Sequence, residues 1–332
     1  MLSRNKKIKW GILAPGRIAT KFAQDLLTVK DTELYAVASR TLEKAEEFKE
    51  TYGAKVAYGN YMDLITDPNV DAIYIATPHT FHKAYSIDCL LNKKAVLCEK
   101  PLALNSADVD VMLQTAKQEG VLLMEALWTA FLPHYQDVLN FLEEGNYGKV
   151  VSIDADFGFY REFDASTRLF DKQLGGGSLL DIGIYPIFCA MSILGKPDDI
   201  QANGTFFETG ADSSCNMIFS YKNGAVARLS STLKEETPTE ATIKFEKGTI
   251  KLHTQFHRPT SVTFTDADGK QTTKDYDVNT LGYNFEIAHF NELLRSGKTE
   301  SPIMTHKFSH QLMEIMDKVK EEIGLSLSLI HI

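Results

Sequence analysis

Cysteine is scarce in this chain: Cys89, Cys98, Cys189 and Cys215 are the only four, and no two form a CxxC pair. That spacing excludes a disulfide framework and a cysteine zinc site, and it is what buried thiols in a reducing compartment look like. Basic charge is in deficit too, with 35 Lys and Arg against 44 Asp and Glu and a formal net charge of −9. The chain therefore carries no electrostatic footprint for nucleic acid or an anionic membrane. Internal repeats and low-complexity segments are missing. The basic start, Met1 to Lys7, leads into an apolar run too short for a signal peptide or a membrane span. A cytoplasmic protein acting on a small molecule is expected.

What is present is ordinary for a globular enzyme: 332 residues, 44% hydrophobic and 24% charged, enough for about two domains with their own cores. From Lys9 to Met124 short apolar runs (9–13, 33–39, 54–58, 72–77, 95–99 and 121–125) alternate with segments of helical spacing such as Ile18, Phe22 and Leu26. Near-continuous apolar runs suit strands buried on both faces, and single apolar stripes suit the helices that cover them. This predicts an α/β domain over residues 1–126 with a doubly wound parallel sheet.

After a helix ending near Gly145 the period changes. Val151, Ile153, Ala155, Phe157 and Phe159 alternate with Ser152, Asp154, Asp156, Gly158 and Tyr160, which is a strand with one face solvated or docked. Further runs near 200–207, 213–221, 225–233, 240–246, 248–253 and 261–265 are joined by Asn223-Gly224, Lys247-Gly248 and Asp268-Gly269, read as hairpin turns needing positive φ. Helices over 284–296 and 306–323 complete a second α/β domain, 127–332, with a large, mostly antiparallel open sheet whose outer face is expected to be apolar. Ser326 to Ile332 is given no function.

The first strand runs into Ala14-Pro15-Gly16-Arg17-Ile18-Ala19 and a helix, a near-match to GxGxxG/A in which the backbone approaches a pyrophosphate at the helix N-terminus. Ala14 replaces the first glycine. On its own such a turn is weak evidence, but this one lies between a first strand and a first helix, where the fingerprint belongs. NAD sites carry Asp or Glu at the end of the second strand, whereas this strand ends Ser39-Arg40-Thr41. A charge-assisted hydrogen bond from Arg40 to a 2′-phosphate, about 1.5–3 kcal/mol, favours NADP over NAD roughly ten- to a hundredfold; a merely solvated or adenine-stacked Arg40 leaves NAD open. Thr77-Pro78-His79-Thr80-Phe81-His82 follows the fourth strand at the edge where ligands bind, and its backbone is expected to line the cofactor crevice. His79 and His82 lack a carboxylate or cysteine at ligand spacing, so no metal is assigned.

Glu99-Lys100-Pro101 ends the fifth strand. Lys100 points from the sheet edge toward the place of a nicotinamide ring, and Pro101 suits a sharp turn, cis or trans. In Gly175-Gly176-Gly177-Ser178-Leu179-Leu180-Asp181-Ile182-Gly183-Ile184-Tyr185-Pro186, Asp181 and Tyr185 stand four apart, one helical turn, although Pro186 removes the bond to residue 182 and so delays or distorts the helix. Separately Lys100 reads as a solvated strand end, Asp181 as a cap and Tyr185 as a core aromatic; together they suit general acid/base work.

The glycine turn, Ala72 to His82, Glu99-Lys100-Pro101 and the block from Gly175 to Pro186 resemble the glucose-fructose oxidoreductase/inositol dehydrogenase/MocA (Gfo/Idh/MocA) family over nearly the whole chain. Met124-Glu125-Ala126-Leu127-Trp128 and the tyrosine look most like its dimeric dihydrodiol dehydrogenase and D-xylose dehydrogenase branch, which uses NADP on trans-dihydrodiols or sugars. The resemblance implies that Lys100 is the catalytic lysine, Asp181 the partner carboxylate and Tyr185 the residue standing where inositol dehydrogenases carry histidine, with Trp128 flanking the substrate. It also implies a homodimer or homotetramer. Ala130, where relatives often carry arginine, bears on substrate identity. Two other classes remain open from the sequence: an NADP-sensing regulator without turnover, and a glycoside hydrolase that recycles bound NAD.

Overall fold

The computed structural model describes residues 6–327. Most of the basic start and residues 328–332 of the tail lie outside the described residues. The chain divides into two units, one holding the residues up to Phe131 with Asn279–His310, the other Leu132–Val278 with the chain from Gln311.

In the first unit β1 (Ile8–Leu13), α1 (Arg17–Leu26), β2 (Thr32–Ala38), α2 (Leu42–Tyr52), β3 (Val56–Tyr58), α3 (Tyr61–Thr66), β4 (Ala72–Ile75), α4 (His82–Leu91), β5 (Ala95–Glu99), α5 (Ser106–Glu119) and β6 (Leu123–Ala126) follow one another. The six strands are all parallel, in the order β3-β2-β1-β4-β5-β6. Every residue of β4 and β5 is buried, as sheet covered on both faces requires. The α1 stripe Ala19, Phe22, Ala23 and Leu26 is buried, with Phe22 stacked on Tyr74 of β4 at 3.6 Å between ring centroids. Each large side chain so buried contributes about 1.5–3 kcal/mol. The strand order reverses between β1 and β4, and at such a reversal the loops leaving the carboxyl ends part to form a crevice.

In the second unit α6 (Pro133–Glu144), β7 (Val150–Gly158), α7 (Ile184–Leu194), β8 (Asp199–Phe206), β9 (Asp212–Ser220), β10 (Val226–Thr232), β11 (Ala241–Phe245), β12 (Gly248–Leu252), β13 (Val262–Asp266) and β14 (Gln271–Lys274) build an eight-stranded sheet, order β14-β13-β12-β11-β7-β10-β9-β8. Only β7 and β10 pair in parallel; the other pairs are antiparallel. The stretch Lys172–Leu194 is long and apolar enough to cross a membrane, but 83% of its most apolar window is buried, which makes it a core segment.

The second sheet differs from expectation at three points. Gly248 does not supply a positive φ: it lies in β12, where a Cβ would come within 2.5 Å of the Tyr147 ring and 2.6 Å of the Thr265 carbonyl. Close packing, not the turn, requires that glycine. β14 has no counterpart in the sequence reading, because all four of its residues are exposed and show no alternation. The outer face of the sheet is polar and not apolar, with Asp154, Asn203, Asn216 and Arg228 exposed around Ile218.

The chain returns to the first unit through α8 (Tyr283–Arg295) and enters α9 (His306–Ile323). Asp25, buried at the end of α1, accepts the main-chain N–H groups of Leu281, Tyr283 and Asn284 at 2.9, 2.7 and 3.3 Å. Its carboxylate thus caps α8 at the positive end of the helix dipole. Trp10 Nε1 donates to Asn291 Oδ1 at 3.1 Å, with the Trp10 ring against Phe290. The sequence reading placed α8 with the second domain; its buried stripe shows that it covers a core without showing which one.

Candidate active site

The turn after β1 is built around Ala14, which takes the left-handed conformation (φ +68°) and accepts the Gly16 N–H at 2.8 Å. Gly16 then stands at the N-terminus of α1 with φ −97°. A Cβ there would meet only the Ala14 carbonyl, at 4.0 Å, so nothing within the chain requires a glycine at this position. What a side chain would obstruct is the space in front of the helix. Among the described residues no side chain caps α1 and no acidic residue lies in its first turn. Its first N–H groups, at Arg17 and Ile18, are therefore open to an anion such as a pyrophosphate.

Beyond β2, Ser39 is buried and Arg40 exposed. Arg40 is close enough to the Tyr61 and Tyr85 phenols, an edge-to-face pair, to pull their ionisation down against burial, which pushes both up. Thr77 and Pro78 follow β4, the neighbour of β1 across the strand-order reversal. The Thr77 hydroxyl is buried with no hydrogen-bond partner among the described residues. An orphaned buried hydroxyl, an uncapped helix start and a glycine kept for clearance together fit a dinucleotide.

Lys100 leaves the end of β5, and the Lys100–Pro101 peptide is cis, one of the two forms the sequence allowed. Glu99 is buried and accepts the Tyr74 hydroxyl. His82 opens α4 fully buried, with its ring turned onto main-chain carbonyls of the first unit. Among the described residues no three His, Cys, Asp or Glu side chains gather as a metal site. Trp128, in a 3-10 turn after β6, is buried with its ring stacked on Tyr283 at 4.2 Å.

In the second unit Leu179–Gly183 form a π-helical turn and α7 begins only at Ile184. Pro186 thus lies just after the π turn, where its missing N–H removes the α-type bond to residue 182. Regular α geometry, on which the shared face of Asp181 and Tyr185 was argued, holds only from Ile184 onward. The glycine run has two steric causes. A Cβ on Gly176 would lie 2.2 Å from the Arg168 carbonyl, and one on Gly177 (φ +124°) 2.1 Å from Asp212 Oδ1. That close approach sets Arg168 onto Asp181 as a two-pronged ion pair, at 2.6 and 3.3 Å. Asp212 in turn accepts the Leu179 N–H at 2.7 Å and the Ser178 hydroxyl at 2.8 Å. Burial pushes its carboxyl up to about 6, with the Asp181 charge adding to the rise. Tyr185 is buried against Phe157 and His257, ring centroids 5.5 and 5.0 Å away.

Arg168 and Asp212 were not singled out from the sequence. Only the unexplained triple glycine pointed to a close approach, and it does not say to what.

Residues 8–127 match the oxidoreductase family with an NAD-binding Rossmann fold (GFO/IDH/MocA), and residues 135–251 match the C-terminal domain of that family. The chain belongs to the Gfo/Idh/MocA family. Trans-1,2-dihydrobenzene-1,2-diol dehydrogenases of Xenopus tropicalis and Xenopus laevis are 37% and 38% identical to it over 327 and 329 residues, covering 96% of this chain and 98% of each relative. Among solved structures, a 3-ketoreductase from Actinomadura kijaniata with NADP and TDP-benzene is similar at a TM-score of 0.86 and 25% identity, over 96% of this chain and 98% of that one. As a Gfo/Idh/MocA protein the chain is an NAD(P)-dependent oxidoreductase, with the parallel and mostly antiparallel sheets read from its sequence.

Proposed function

We propose that this chain moves a hydride between NADP(H) and a carbinol or carbonyl carbon of a sugar, polyol or trans-dihydrodiol. The observation that carries the reading is Lys100, set at the carboxyl end of β5 in a nucleotide-binding sheet; the names of the relatives supply the substrate class. The bound nicotinamide supplies the hydride acceptor or donor. The chain supplies the rest: the hydroxyl proton passes to or from Lys100 and Tyr185, a general acid/base task worth about 10²–10⁴-fold. Asp181, held by Arg168, orients Tyr185, and Trp128 flanks the substrate. Arg40 selects the 2′-phosphate.

The same proposal includes a homodimer or homotetramer, on family grounds, and a cytoplasmic location, which four buried, unpaired thiols support. Light scattering on the purified protein reads the first.

The test is NADP⁺-linked oxidation of trans-dihydrodiols and aldoses, with fluorescence titration by NADPH and NADH. Arg40→Ala is expected to cut the NADPH preference roughly ten- to a hundredfold, and Lys100→Met to cut kcat about 10²–10⁴-fold with NADPH still bound. Wild-type turnover in Lys100→Met would end the reading; NADPH binding without turnover on any such substrate would point to a regulator.

A further inference from the structure

The peptide group between Pro101 and Leu102, next to Lys100, is gripped at both of its polar ends by buried titratable side chains. Its carbonyl oxygen lies 2.9 Å from Nδ1 of His82, and its N–H donates to Oε1 of Glu125 at 3.0 Å. The other ring nitrogen of His82, Nε2, lies 3.0 Å from the Thr77 carbonyl. His82 is fully buried and Glu125 is 2% exposed. A continuous line of hydrogen-bonding groups thus runs from the loop after β4, through the His82 ring and the Pro101–Leu102 peptide, to a carboxyl on β6. Such lines strengthen each member by polarisation.

A main-chain carbonyl only accepts, and each ring nitrogen of His82 faces one. A neutral imidazole has a single N–H and would set its lone pair against the second carbonyl; the imidazolium donates to both. At the other end, Oε1 of Glu125 accepts and is the unprotonated oxygen of its carboxyl. Sheet register accounts for its place: Glu125 pairs with Cys98 of β5, two residues before Lys100. Burial pushes the Glu125 carboxyl up to about 7 and the Glu99 charge adds to it, against the pull of the Ser309 hydroxyl, the Leu102 amide and the Lys100 ammonium. The groups facing the line are therefore Glu99 and Lys100 from the β5 turn, Ser309 from α9 and His79, whose ring centroid is 5.5 Å from that of His82.

We propose that His82 and Glu125 are positioning residues for Lys100. The imidazolium ties the Thr77 carbonyl to the Pro101 carbonyl, Glu125 holds the far end of the same peptide, and together they fix the lysine turn to the loop beside the cofactor. This inference rests on the reading of Lys100 as the residue that exchanges the substrate proton.

Two histidine variants separate the halves of the line. His82→Gln keeps a donor in place of Nε2 and so the Thr77 contact; His82→Asn keeps one in place of Nδ1 and so the Pro101 contact. His82→Gln is expected to lower kcat about 10–100-fold with the NADPH dissociation constant within about threefold of wild type. His82→Asn is expected to weaken NADPH about tenfold with a smaller loss of kcat. Glu125→Gln, which keeps an acceptor for Leu102, should recover most of the kcat that Glu125→Ala loses. A histidine-labelled ¹⁵N spectrum of the wild-type protein reads the ring directly and should show both nitrogens protonated at neutral pH. Equal effects of the two histidine variants on kcat and on affinity, equal losses in the two Glu125 variants, or a neutral ring in the spectrum would overturn the proposal. If Lys100→Met retains full turnover the reading of Lys100 has failed instead, while the NADPH titrations and the ring spectrum still report on the line itself.

Discussion

Ala14 and Gly16 share one turn and are there for opposite reasons. Ala14 carries a left-handed φ that costs an L-residue about 1–2 kcal/mol, while Gly16 has neither a positive φ nor a neighbour that a methyl group would strike. Gly16→Ala is accordingly expected to leave the thermal midpoint within about 2 °C of wild type, yet to weaken NADPH by at least about tenfold, read by melting and by fluorescence titration. Glu125 gives the fold a pH dependence. Its carboxyl, with an ordinary value of 4.5, titrates near 7 in the folded protein. The folded state thus keeps a proton that the unfolded chain releases in that window, so stability falls as pH rises from 4.5 to 7 and stays lowered above it. Glutamine has no proton to lose. Against Glu125→Gln, the melting temperature of the wild-type protein should drop progressively through that window and the two should run parallel outside it; a difference independent of pH would contradict this.

Among the elements, the glycine run before the π turn carries the strongest steric demand. Gly177→Ala would put a methyl group on the Asp212 carboxylate at a φ of +124°, and a loss of about 2–4 kcal/mol is expected. Because the Gly177 N–H also holds the carbonyl of Leu169, next to Arg168, at 2.9 Å, the Arg168–Asp181 pair should loosen and kcat fall with it; denaturant unfolding and steady-state rates check the two effects. The strands were legible because each buried run has an apolar pattern of the right period. Lys100, Asp181 and Tyr185 were singled out because they sit in recognisable blocks, and their roles are those proposed above. The π turn was half legible, since Pro186 announced a distortion without its form. His82 and Glu125 were not legible as partners: the first was read for its backbone and the second only as part of a family block. Their connection passes through a peptide group, and a peptide group has no letter in the sequence.

For the whole molecule, the two units were visible as a change of period near residue 145, but the weaving of the chain between them was not. Asp25 and Asn291, which fasten residues 279–310 to the first unit, lie 266 positions apart in sequence, and neither belongs to a motif. A chain ending at Phe131 lacks the partners of Trp10 and Asp25 and is expected to fail to bind NADPH. The same residues joined by a short linker to 279–310 should bind it, and a titration of both fragments decides between them. The full-length protein should leave all four cysteines unreactive toward a thiol reagent until it unfolds, because each is buried and burial pushes each thiol up.

That weaving also sets an order in time. A ribosome adds roughly 5–20 residues per second, so after Phe131 has been joined about 10–40 s pass before the last part of the nucleotide-binding unit is made. The other unit opens at Leu132 and takes its final residues from beyond His310. Neither can be finished while the chain is still short of α9. A premature stop between Leu132 and that helix therefore releases two incomplete cores at once, with no finished domain to salvage.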